Sequence, residues 1–191
     1  MSDIPAKKKL LRKEILDLRN ATDAESCSLA DARIQAQLEA LSDYKSANTV
    51  FCYVSVGTEV STINLIESMI ASGKTVCVPL TKGRHTMFAH EIKSLDDLEE
   101  GAFGIPAPPA ESPLVRPEDI DVVIMPCVTC DRSGVRLGYG GGYYDTYLTS
   151  NQKIARIVLC RENLLVDSLP FESHDLRVDI IVTDKEVVML R

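Results

Sequence analysis

Residues 49–56 read Thr-Val-Phe-Cys-Tyr-Val-Ser-Val, a run in which apolar and β-branched side chains fall on both faces of an extended chain. A strand that is apolar on both faces is typical of a parallel sheet covered by helices. Similar runs follow at residues 75–78, 121–125, 154–160 and, last along the chain, 178–183. Helical patterns separate these runs. We therefore expect a single-domain three-layer α/β/α fold with a mostly parallel central sheet and right-handed crossovers.

Length and composition agree with one globular domain. The chain has 191 residues, of which 45% are hydrophobic and 26% charged, so we expect one domain over residues 1–191 rather than a disordered chain. Its net charge of −7 provides no basic surface for a nucleic-acid backbone. The apolar runs are far shorter than the ~20 residues that a bilayer requires. We expect a cytoplasmic protein, monomeric or weakly homodimeric, whose partners are small molecules rather than nucleic acid or a membrane.

Three helices are predicted in the first 73 residues. Apolar side chains recur at helical spacing within residues 6–19. Thr22 followed by Glu25 has the form of a capping box, and an apolar stripe continues beyond it. Residues 62–72 form a third, short helical stretch, closed by Gly73 in the position where helices commonly stop.

Turn-forming residues divide the rest of the chain. Pro79 is expected to end the second strand, and residues 86–92 to form an extended segment. Residues 94–99 are expected to form a short capped helix. Residues 101–117 hold five prolines and two glycines, which predicts a loop wrapping the surface. A further helix is expected near residues 143–150.

Six cysteines are present, and no signal peptide is expected, so a disulfide framework is not favoured. Four lie in apolar helix-like or strand-like runs and are expected to pack in the core: Cys27, Cys52, Cys77 and Cys160. Cys127 and Cys130 form one CxxC pair. A structural zinc site takes four ligands, and neither a second close pair nor a spaced histidine pair is available. A turn, rather than the helix of a thioredoxin-type motif, follows at residues 131–134. The pair is therefore expected to fill core or loop space, with redox and metal roles as the alternatives.

The most unusual segment is Arg136-Leu-Gly-Tyr-Gly-Gly-Gly-Tyr-Tyr-Asp145, here called the glycine loop, which holds four of the ten glycines in the chain. Glycines let backbone N–H groups approach an anion, and a helix is expected directly after them. This is phosphate-binding chemistry, although the spacing matches neither the P-loop nor the GxGxxG motif. Arg136 would contact phosphate oxygens and Asp145 a hard cation such as Mg²⁺. The alternatives are a plain flexible turn, a solvated Arg136, and an Asp145 that only complements the helix dipole.

This loop resembles the hallmark of the 5-formyltetrahydrofolate cyclo-ligase (methenyltetrahydrofolate synthetase) family, an Arg-Leu-Gly-x-Gly-x-Gly-Tyr-Tyr-Asp stretch. In that family the stretch follows a strand, Pro and Asp-x-x-Gly, matched here by Met125-Pro126 and Asp131-Arg-Ser-Gly134. Three further motifs keep the family's order: Lys8-Lys-Leu-Leu-Arg12, the strand and loop Tyr53-Val-Ser-Val-Gly-Thr-Glu59-Val-Ser-Thr62, and Leu169-Pro-Phe-Glu-Ser-His-Asp175 followed by Val178-Asp179. The resemblance covers the chain from about residue 8 to residue 184.

The resemblance implies an ATP- and Mg²⁺-dependent ring closure. Mg-ATP would phosphorylate the formyl oxygen of 5-formyltetrahydrofolate, and N10 would then attack the activated carbon. Phosphate would leave, and 5,10-methenyltetrahydrofolate and ADP would remain. An amide-like formyl oxygen is a poor leaving group, and phosphorylation makes it a good one. Catalysis of such a transfer comes mainly from positioning and from stabilisation of charge.

The resemblance also implies roles for individual residues. ATP would contact Lys8, Arg12, Arg136, Leu137, Gly138, Tyr139, Gly140, Gly141, Gly142, Tyr143 and Tyr144. The folate would contact Val54, Glu59, Tyr139 and Tyr143. Mg²⁺ would be held by Asp145 and Asp175, and the catalytic residues would be Arg136 and Asp145. Without the resemblance, the basic face of the first helix and the carboxylates outside the glycine loop would be interpreted as ordinary solvated side chains.

One position departs from the common family pattern. Many family members carry a basic residue where this loop has Gly141, so a direct side-chain contact to phosphate is missing and nucleotide affinity is affected. Lys82 and Arg84, in the loop after the second strand, are hypothesised to supply this charge. His85 and His90 are expected to be loop and surface residues.

Two other classes of function stay open from the residues alone. One is a sugar-phosphate isomerase or acyl-CoA-type protein that uses the glycine loop for a substrate phosphate, but no convincing catalytic base stands out in another loop. The other is a nucleotide-binding regulator without chemistry. Glu59 and the tyrosine-rich loop argue against that regulator.

Overall fold

The computed structural model describes residues 3–149, 154–173 and 175–191. The α-helices are α1 (Ile4–Ala21), α2 (Ala24–Ala40), α3 (Ser42–Ser46), α4 (Ile63–Ala71) and α5 (Tyr143–Leu148). The strands are β1 (Thr49–Cys52), β2 (Thr75–Thr81), β3 (Met87–Ile92), β4 (Glu99–Glu100), β5 (Pro106–Ala107), β6 (Leu114–Val115), β7 (Val122–Met125), β8 (Thr129–Cys130), β9 (Arg136–Leu137), β10 (Ala155–Leu159), β11 (Ile180–Val182) and β12 (Val187–Met189). Short 3₁₀ turns lie at Leu95–Asp97, Ala102–Gly104, Pro117–Asp119 and Glu162–Leu164.

The central sheet has eight strands in the order β12-β11-β10-β7-β1-β2-β3-β6. The pairs formed by β1 with β2 and β7, and by β10 with β7 and β11, are parallel. The outer strands β3, β6 and β12 add antiparallel pairs. The expected three-layer α/β/α architecture with a mostly parallel central sheet is confirmed. The carboxyl ends of the inner parallel strands share one edge, which is where ligands bind in open α/β sheets.

The core is centred on the inner strands because these strands are apolar on both faces. All four residues of β7 are buried, and Phe51 of β1 is fully inaccessible. The Phe51 ring stacks on Tyr144 of α5 at a centroid distance of 5.8 Å. Burial of one such large apolar side chain contributes roughly 1.5–3 kcal/mol. The contact therefore anchors the short helix that follows the glycine loop against the sheet.

The four longer predicted helices are present, with one capping residue shifted. Helix α1 continues to Ala21, so Thr22 ends that helix and does not begin the next one. The N-cap of α2 is Asp23, whose Oδ1 accepts a hydrogen bond from the Ser26 N–H at 2.8 Å. The predicted cap at Thr22 is therefore wrong by one residue. Within the described ranges, none of the helices is long and apolar enough to span a membrane.

Two strand boundaries differ from the prediction. Strand β1 ends at Cys52, four residues earlier than expected. Strand β2 does not stop at Pro79 but continues to Thr81 and pairs with β3 throughout. The register with β1 ends at Cys77, so beyond that residue β2 pairs on one side only. Proline is tolerated at such a position because it lacks only the donor that one neighbour would use.

Several short strands were not predicted. Strand β12 forms an antiparallel pair with β11, so residues 178–183 are not the last strand. Strands β5 and β6 lie within the proline-rich segment, where β6 closes one edge of the sheet against β3. The expected short capped helix is a 3₁₀ turn at Leu95–Asp97, and Ser94 forms its capping box. Elements of two or three residues are too short to show a hydrophobic period.

All six cysteines are free thiols. Cys52, Cys77 and Cys160 are buried as expected, whereas Cys27 is only partly buried. Of the CxxC pair, Cys130 is buried and Cys127 is partly exposed. Hydrogen bonds with the thiols of Cys130 and Cys160, followed by the positive charges of two arginines, hold the pKa of Cys127 well below its ordinary value despite burial. Cys130 belongs to the hydrophobic core and Cys127 packs against it, as expected for cysteines that fill core or loop space.

Candidate active site

One face of α1 carries four residues at spacings of four, three and four: Lys8, Arg12, Ile15 and Arg19. This spacing places them in a single stripe along the helix. Ile15 and Arg19 are buried and the two residues nearer the N-terminus are partly buried, so this stripe is the inner face of α1. The Arg12 Nε donates to the Gly138 carbonyl oxygen at 2.8 Å. Helix α1 therefore presents its basic residues to the glycine loop.

The glycine loop begins from a rigid hairpin made by β8 and β9. Asp131, which is 3% exposed, organises the turn between these strands. Its Oδ1 accepts from the Ser133 and Val135 N–H groups at 2.9 and 3.3 Å, and its Oδ2 accepts from the Leu169 N–H at 2.8 Å. The predicted turn at residues 131–134 is confirmed by the Gly134 N–H donating to the Asp131 carbonyl oxygen. The hairpin thus fixes the point at which Arg136 enters the site.

The glycines leave room for two guanidinium groups. A Cβ at Gly138 would lie 2.8 Å from Arg136 Nη1, and a Cβ at Gly140 would lie 3.5 Å from Arg12 Nη2. Gly140 also has a φ of +93°, a conformation that residues with a side chain rarely adopt. Two cations therefore lie directly against a backbone without side chains, and this arrangement suits a phosphate group.

Arg136 and Asp145 form the central ion pair of the site. Arg136 Nη2 lies 2.9 Å from Asp145 Oδ2, and the two side chains are 6% and 26% exposed. The guanidinium lies over the Tyr144 ring, with its Cζ 5.9 Å from the ring centroid. Arg136 Nε is a buried donor that has no partner among the residues described by the structure. An additional acceptor, such as a phosphate oxygen, would satisfy this group.

Lys8 pairs with the second predicted metal ligand. Its Nζ lies 2.6 Å from Asp175 Oδ2 and 3.0 Å from Glu172 Oε2. Partial burial lowers the pKa of Lys8, but the hydrogen bonds to these carboxylates raise it overall above its ordinary value. The Leu176 N–H donates to Asp145 Oδ1 at 3.2 Å, which brings Asp175 and Asp145 to the same corner. Two carboxylates beside the glycine loop suit Mg²⁺, which is commonly bound by one or two carboxylates together with phosphate oxygens.

The predicted folate residues lie on the β1 side of the glycine loop. Glu59 Oε2 accepts from the Val56 N–H at 2.8 Å, which holds the side chain back over its own loop. The Tyr139 hydroxyl accepts from Arg19 Nη1 at 2.9 Å. Burial, and then the negative charge of Glu59, raises the pKa of this hydroxyl, so it is neutral near pH 7. Val54 is 2% exposed and follows the end of β1.

Two buried arginines near the predicted folate residues, Arg19 and Arg161, were not predicted. Arg161 donates to both carboxylate oxygens of Asp31 at 2.8 and 2.9 Å, and to the carbonyl oxygens of Thr58 and Glu59 at 2.9 and 3.1 Å. Arg19 Nε donates to Thr58 Oγ1 at 3.1 Å. Two sequence signals were available: Arg19 continues the helical spacing of the α1 basic residues, and Arg161 lies just beyond the carboxyl end of a buried strand.

The loop after β2 packs on the glycine loop. The Tyr143 hydroxyl donates to the Gly83 carbonyl oxygen at 3.2 Å, and His85 Nδ1 forms a hydrogen bond with the Gly141 carbonyl oxygen. A Cβ at Gly141 would lie 2.7 Å from the Tyr143 ring, so a larger residue there would displace that ring. The packed loop carries the two basic residues hypothesised to offset this glycine, Lys82 and Arg84.

The histidines differ from one another. His85 is an exposed loop residue, as expected, although it contacts the site. His90 lies in β3, is 7% exposed, and its Nδ1 forms a 2.7 Å hydrogen bond with the Ser112 carbonyl oxygen, so its assignment to the surface is wrong. His174, to which the sequence assigned no role, lies outside the described residues.

Known proteins resemble this chain in sequence and in fold. The model of the 5-formyltetrahydrofolate cyclo-ligase family matches residues 4–184. The chain is 30% identical over 188 residues to the 5-formyltetrahydrofolate cyclo-ligase of Mycolicibacterium smegmatis, covering 91% of this chain and 96% of that one. It is also 30% identical over 203 residues to the cyclo-ligase of Saccharomyces cerevisiae, covering 93% and 95%.

A solved structure gives the same result. The NMR structure of Aquifex aeolicus 5,10-methenyltetrahydrofolate synthetase matches this fold with a TM-score of 0.86 at 31% identity, covering 96% of this chain and 93% of that chain. The resemblance noted in the glycine loop therefore extends over nearly the whole chain and its fold. On this evidence the chain belongs to the 5-formyltetrahydrofolate cyclo-ligase family.

Proposed function

We propose that this chain catalyses the ATP- and Mg²⁺-dependent cyclisation of 5-formyltetrahydrofolate to 5,10-methenyltetrahydrofolate, with release of ADP and phosphate. The proposal rests on two ion pairs beside the glycine loop. Arg136 pairs with Asp145, and Lys8 pairs with Asp175. Each pair joins a cation suited to phosphate with a carboxylate suited to a divalent metal. Together they provide the charges that a metal–nucleotide complex requires.

ATP would be bound from both sides of the glycine loop. Arg12 and Arg136 lie against the loop backbone, and the unpartnered Nε of Arg136 would donate to a phosphate oxygen. The loop itself would contribute backbone N–H groups between its start at Leu137 and the first turn of α5, where Tyr144 is buried. Lys82 and Arg84 would add positive charge from the neighbouring loop.

Mg²⁺ would be held by Asp145 and Asp175, and when bound it neutralises the charge on transferring phosphate groups. The side chains of Arg136 and Lys8 would then turn from these carboxylates to phosphate oxygens. This exchange keeps all four charges paired, since the incoming nucleotide is anionic and the metal is cationic. No buried charge is therefore left without a partner when the nucleotide binds.

The folate would lie on the β1 side of the loop. Glu59 would accept hydrogen bonds from the pterin amino groups, beside Val54 and the rings of Tyr139 and Tyr143. The backbone of Glu59 is held in place because Arg161 donates a hydrogen bond to the Glu59 carbonyl oxygen. The formyl oxygen would then face the nucleotide across the glycine loop, where Arg136 would stabilise the charge that develops during transfer.

A three-component assay tests this function. Purified protein is mixed with 5-formyltetrahydrofolate, ATP and Mg²⁺, and absorbance is followed at the methenyltetrahydrofolate band. We expect absorbance to rise only when all three are present. In Asp145→Asn, loss of a charge at the reacting phosphate should lower kcat by about 100-fold or more.

The matched control is Asp17→Asn, which removes a carboxylate from the exposed face of α1 and should leave the rate unchanged. Methenyltetrahydrofolate formation without ATP would contradict the proposal. So would ATP binding without any product, which favours the alternative of a nucleotide-binding regulator.

A further inference from the structure

Three thiols meet at the carboxyl ends of two neighbouring strands. Cys127 and Cys130 follow β7, and Cys160 follows β10, the strand paired with β7. The three Sγ atoms lie within 4.8 Å of one another. Cys130 and Cys160 are almost fully buried, whereas Cys127 is partly exposed. The third ligand that the sequence of the CxxC lacked is therefore supplied by a residue 30 positions further along the chain.

A small cavity lies beside this cluster. Its lining residues include Cys127, Cys160, Arg19 and Arg161, and its volume is about 10 Å³. A cavity of roughly 10–15 Å³ holds one water molecule. Both arginines are buried, and Arg161 is paired with the Asp31 carboxylate. Arg19 bonds the hydroxyls of Thr58 and Tyr139, which are neutral, so its positive charge acts on the cavity with little screening by solvent. The surroundings therefore favour an anionic cluster and leave space for one further ligand.

The spacing of the sulfurs fits a metal better than a disulfide. With metal–sulfur bonds of about 2.3 Å, tetrahedral geometry places sulfurs ~3.8 Å apart, so the cluster needs to contract by about 1 Å at most. A disulfide requires about 2.05 Å between two sulfurs and leaves the third thiol unused.

We propose that Cys127, Cys130 and Cys160 bind a thiophilic divalent cation, Zn²⁺, as three thiolates, with a water molecule in the adjacent cavity as the fourth ligand. Three thiols release their protons to solvent as three metal–sulfur bonds form. The resulting centre carries a net charge of −1, which the neighbouring Arg19 compensates. The bound ion joins the loop after β7 to the end of β10. This proposal is independent of the folate reaction.

The three cysteines lie close to the residues assigned to the folate, Glu59 and Tyr139. Arg161, next to Cys160, holds the carbonyl oxygens of Thr58 and Glu59. Arg19, across the same cavity, holds the Tyr139 hydroxyl. A metal ion at the cluster therefore stabilises the same two arginines that position these residues.

Cobalt titration tests the proposal. The full chain, reduced and freed of metal, is titrated with Co²⁺ in excess Mg²⁺, which occupies the carboxylate site. We expect a thiolate-to-cobalt charge-transfer band that saturates at one ion per chain and disappears when Zn²⁺ is added. Loss of a partner around the ligands typically costs 10–100-fold in affinity, so Cys160→Ser, which removes a ligand itself, should weaken binding by at least about 100-fold. Cys27→Ser removes a thiol outside the cluster and should leave the affinity unchanged.

Two results would overturn the proposal. One is the absence of a charge-transfer band in the unaltered chain. The other is a Cys160→Ser variant that retains the original affinity, because the metal would then be held by the CxxC alone or elsewhere. If Cys160→Ser does not fold, alkylation of the unaltered chain replaces it. Zn²⁺ should protect Cys127 from alkylation but leave Cys27 reactive, and equal reactivity of Cys127 with and without Zn²⁺ would also refute the site.

Discussion

Replacing Arg161 by methionine tests how the loop carrying Glu59 is held. The Arg161 side chain is 4% exposed, and it forms a bidentate ion pair with Asp31 together with bonds to two loop carbonyl oxygens. Removing one partner of a buried ion pair costs about 3–5 kcal/mol. Asp31 keeps a hydrogen bond from the Ser61 N–H at 3.0 Å, so we expect the lower end of that range. A loss of ~3 kcal/mol lowers the Tm of a chain of this size by about 6–12 °C.

The assay combines denaturant unfolding with steady-state kinetics. The control is Arg116→Met, because that side chain is 65% exposed and pairs with two exposed carboxylates, Glu118 and Asp119. Exposed pairs contribute about 0.2–1 kcal/mol, so the control should lose far less stability. Adding Asp31→Asn to Arg161→Met should recover part of the loss, since the uncompensated charge is then absent. The reasoning is refuted if the two methionine variants lose equal stability. In Arg161→Met we also expect the KM for the folate to rise more than the KM for ATP.

Three further predictions concern the glycine loop and its support. Gly140→Ala places a Cβ on a residue with φ of +93°, which should cost about 1–2 kcal/mol in thermal unfolding and raise the KM for ATP. Tyr139→Phe removes the hydroxyl bonded to Arg19 and should raise the folate KM while leaving that for ATP unchanged; an equal rise in both would contradict the assignment. Asp131→Ala leaves one buried and two partly buried N–H groups without their acceptor and should lower stability by roughly 2–4 kcal/mol, measured by urea unfolding, with Asp167→Ala as the surface control.

The strand pattern was predictable where burial is complete on both faces. β7 and β10 are each flanked by two parallel neighbours, so their sequences are mainly apolar, with Arg156 of β10 as the one charged residue. Pro79 was misjudged because the effect of a missing N–H depends on whether a neighbouring strand needs it. The N-cap of α2 was misplaced because Thr22 and Asp23 are both good caps, and only the length of α1 decides between them.

The site was predictable where its residues are close together in sequence. The glycine loop is continuous in sequence. Closely spaced glycines indicate directly that its backbone can approach an anion, because this property depends only on neighbouring residues. Lys8 and Arg12 share a helix face through their spacing, and the same spacing extends to Arg19. The only local signal for Arg161 is its place just beyond the end of a buried strand, and this does not reveal its partners, because Asp31 and Thr58 lie more than 100 positions away along the chain.

The sequence by itself therefore determined the α/β class, the inner strands, the glycine loop and the family resemblance, since each depends on side chains that are neighbours along the chain or one helical turn apart. Only the tertiary structure brought Cys160 to the CxxC, Arg161 to the loop of Glu59 and Lys8 to Asp175. The order of strands in the sheet decides which strand ends become neighbours, and that order is set by packing of the whole chain. Contacts between distant segments thus follow from the topology rather than from any local pattern.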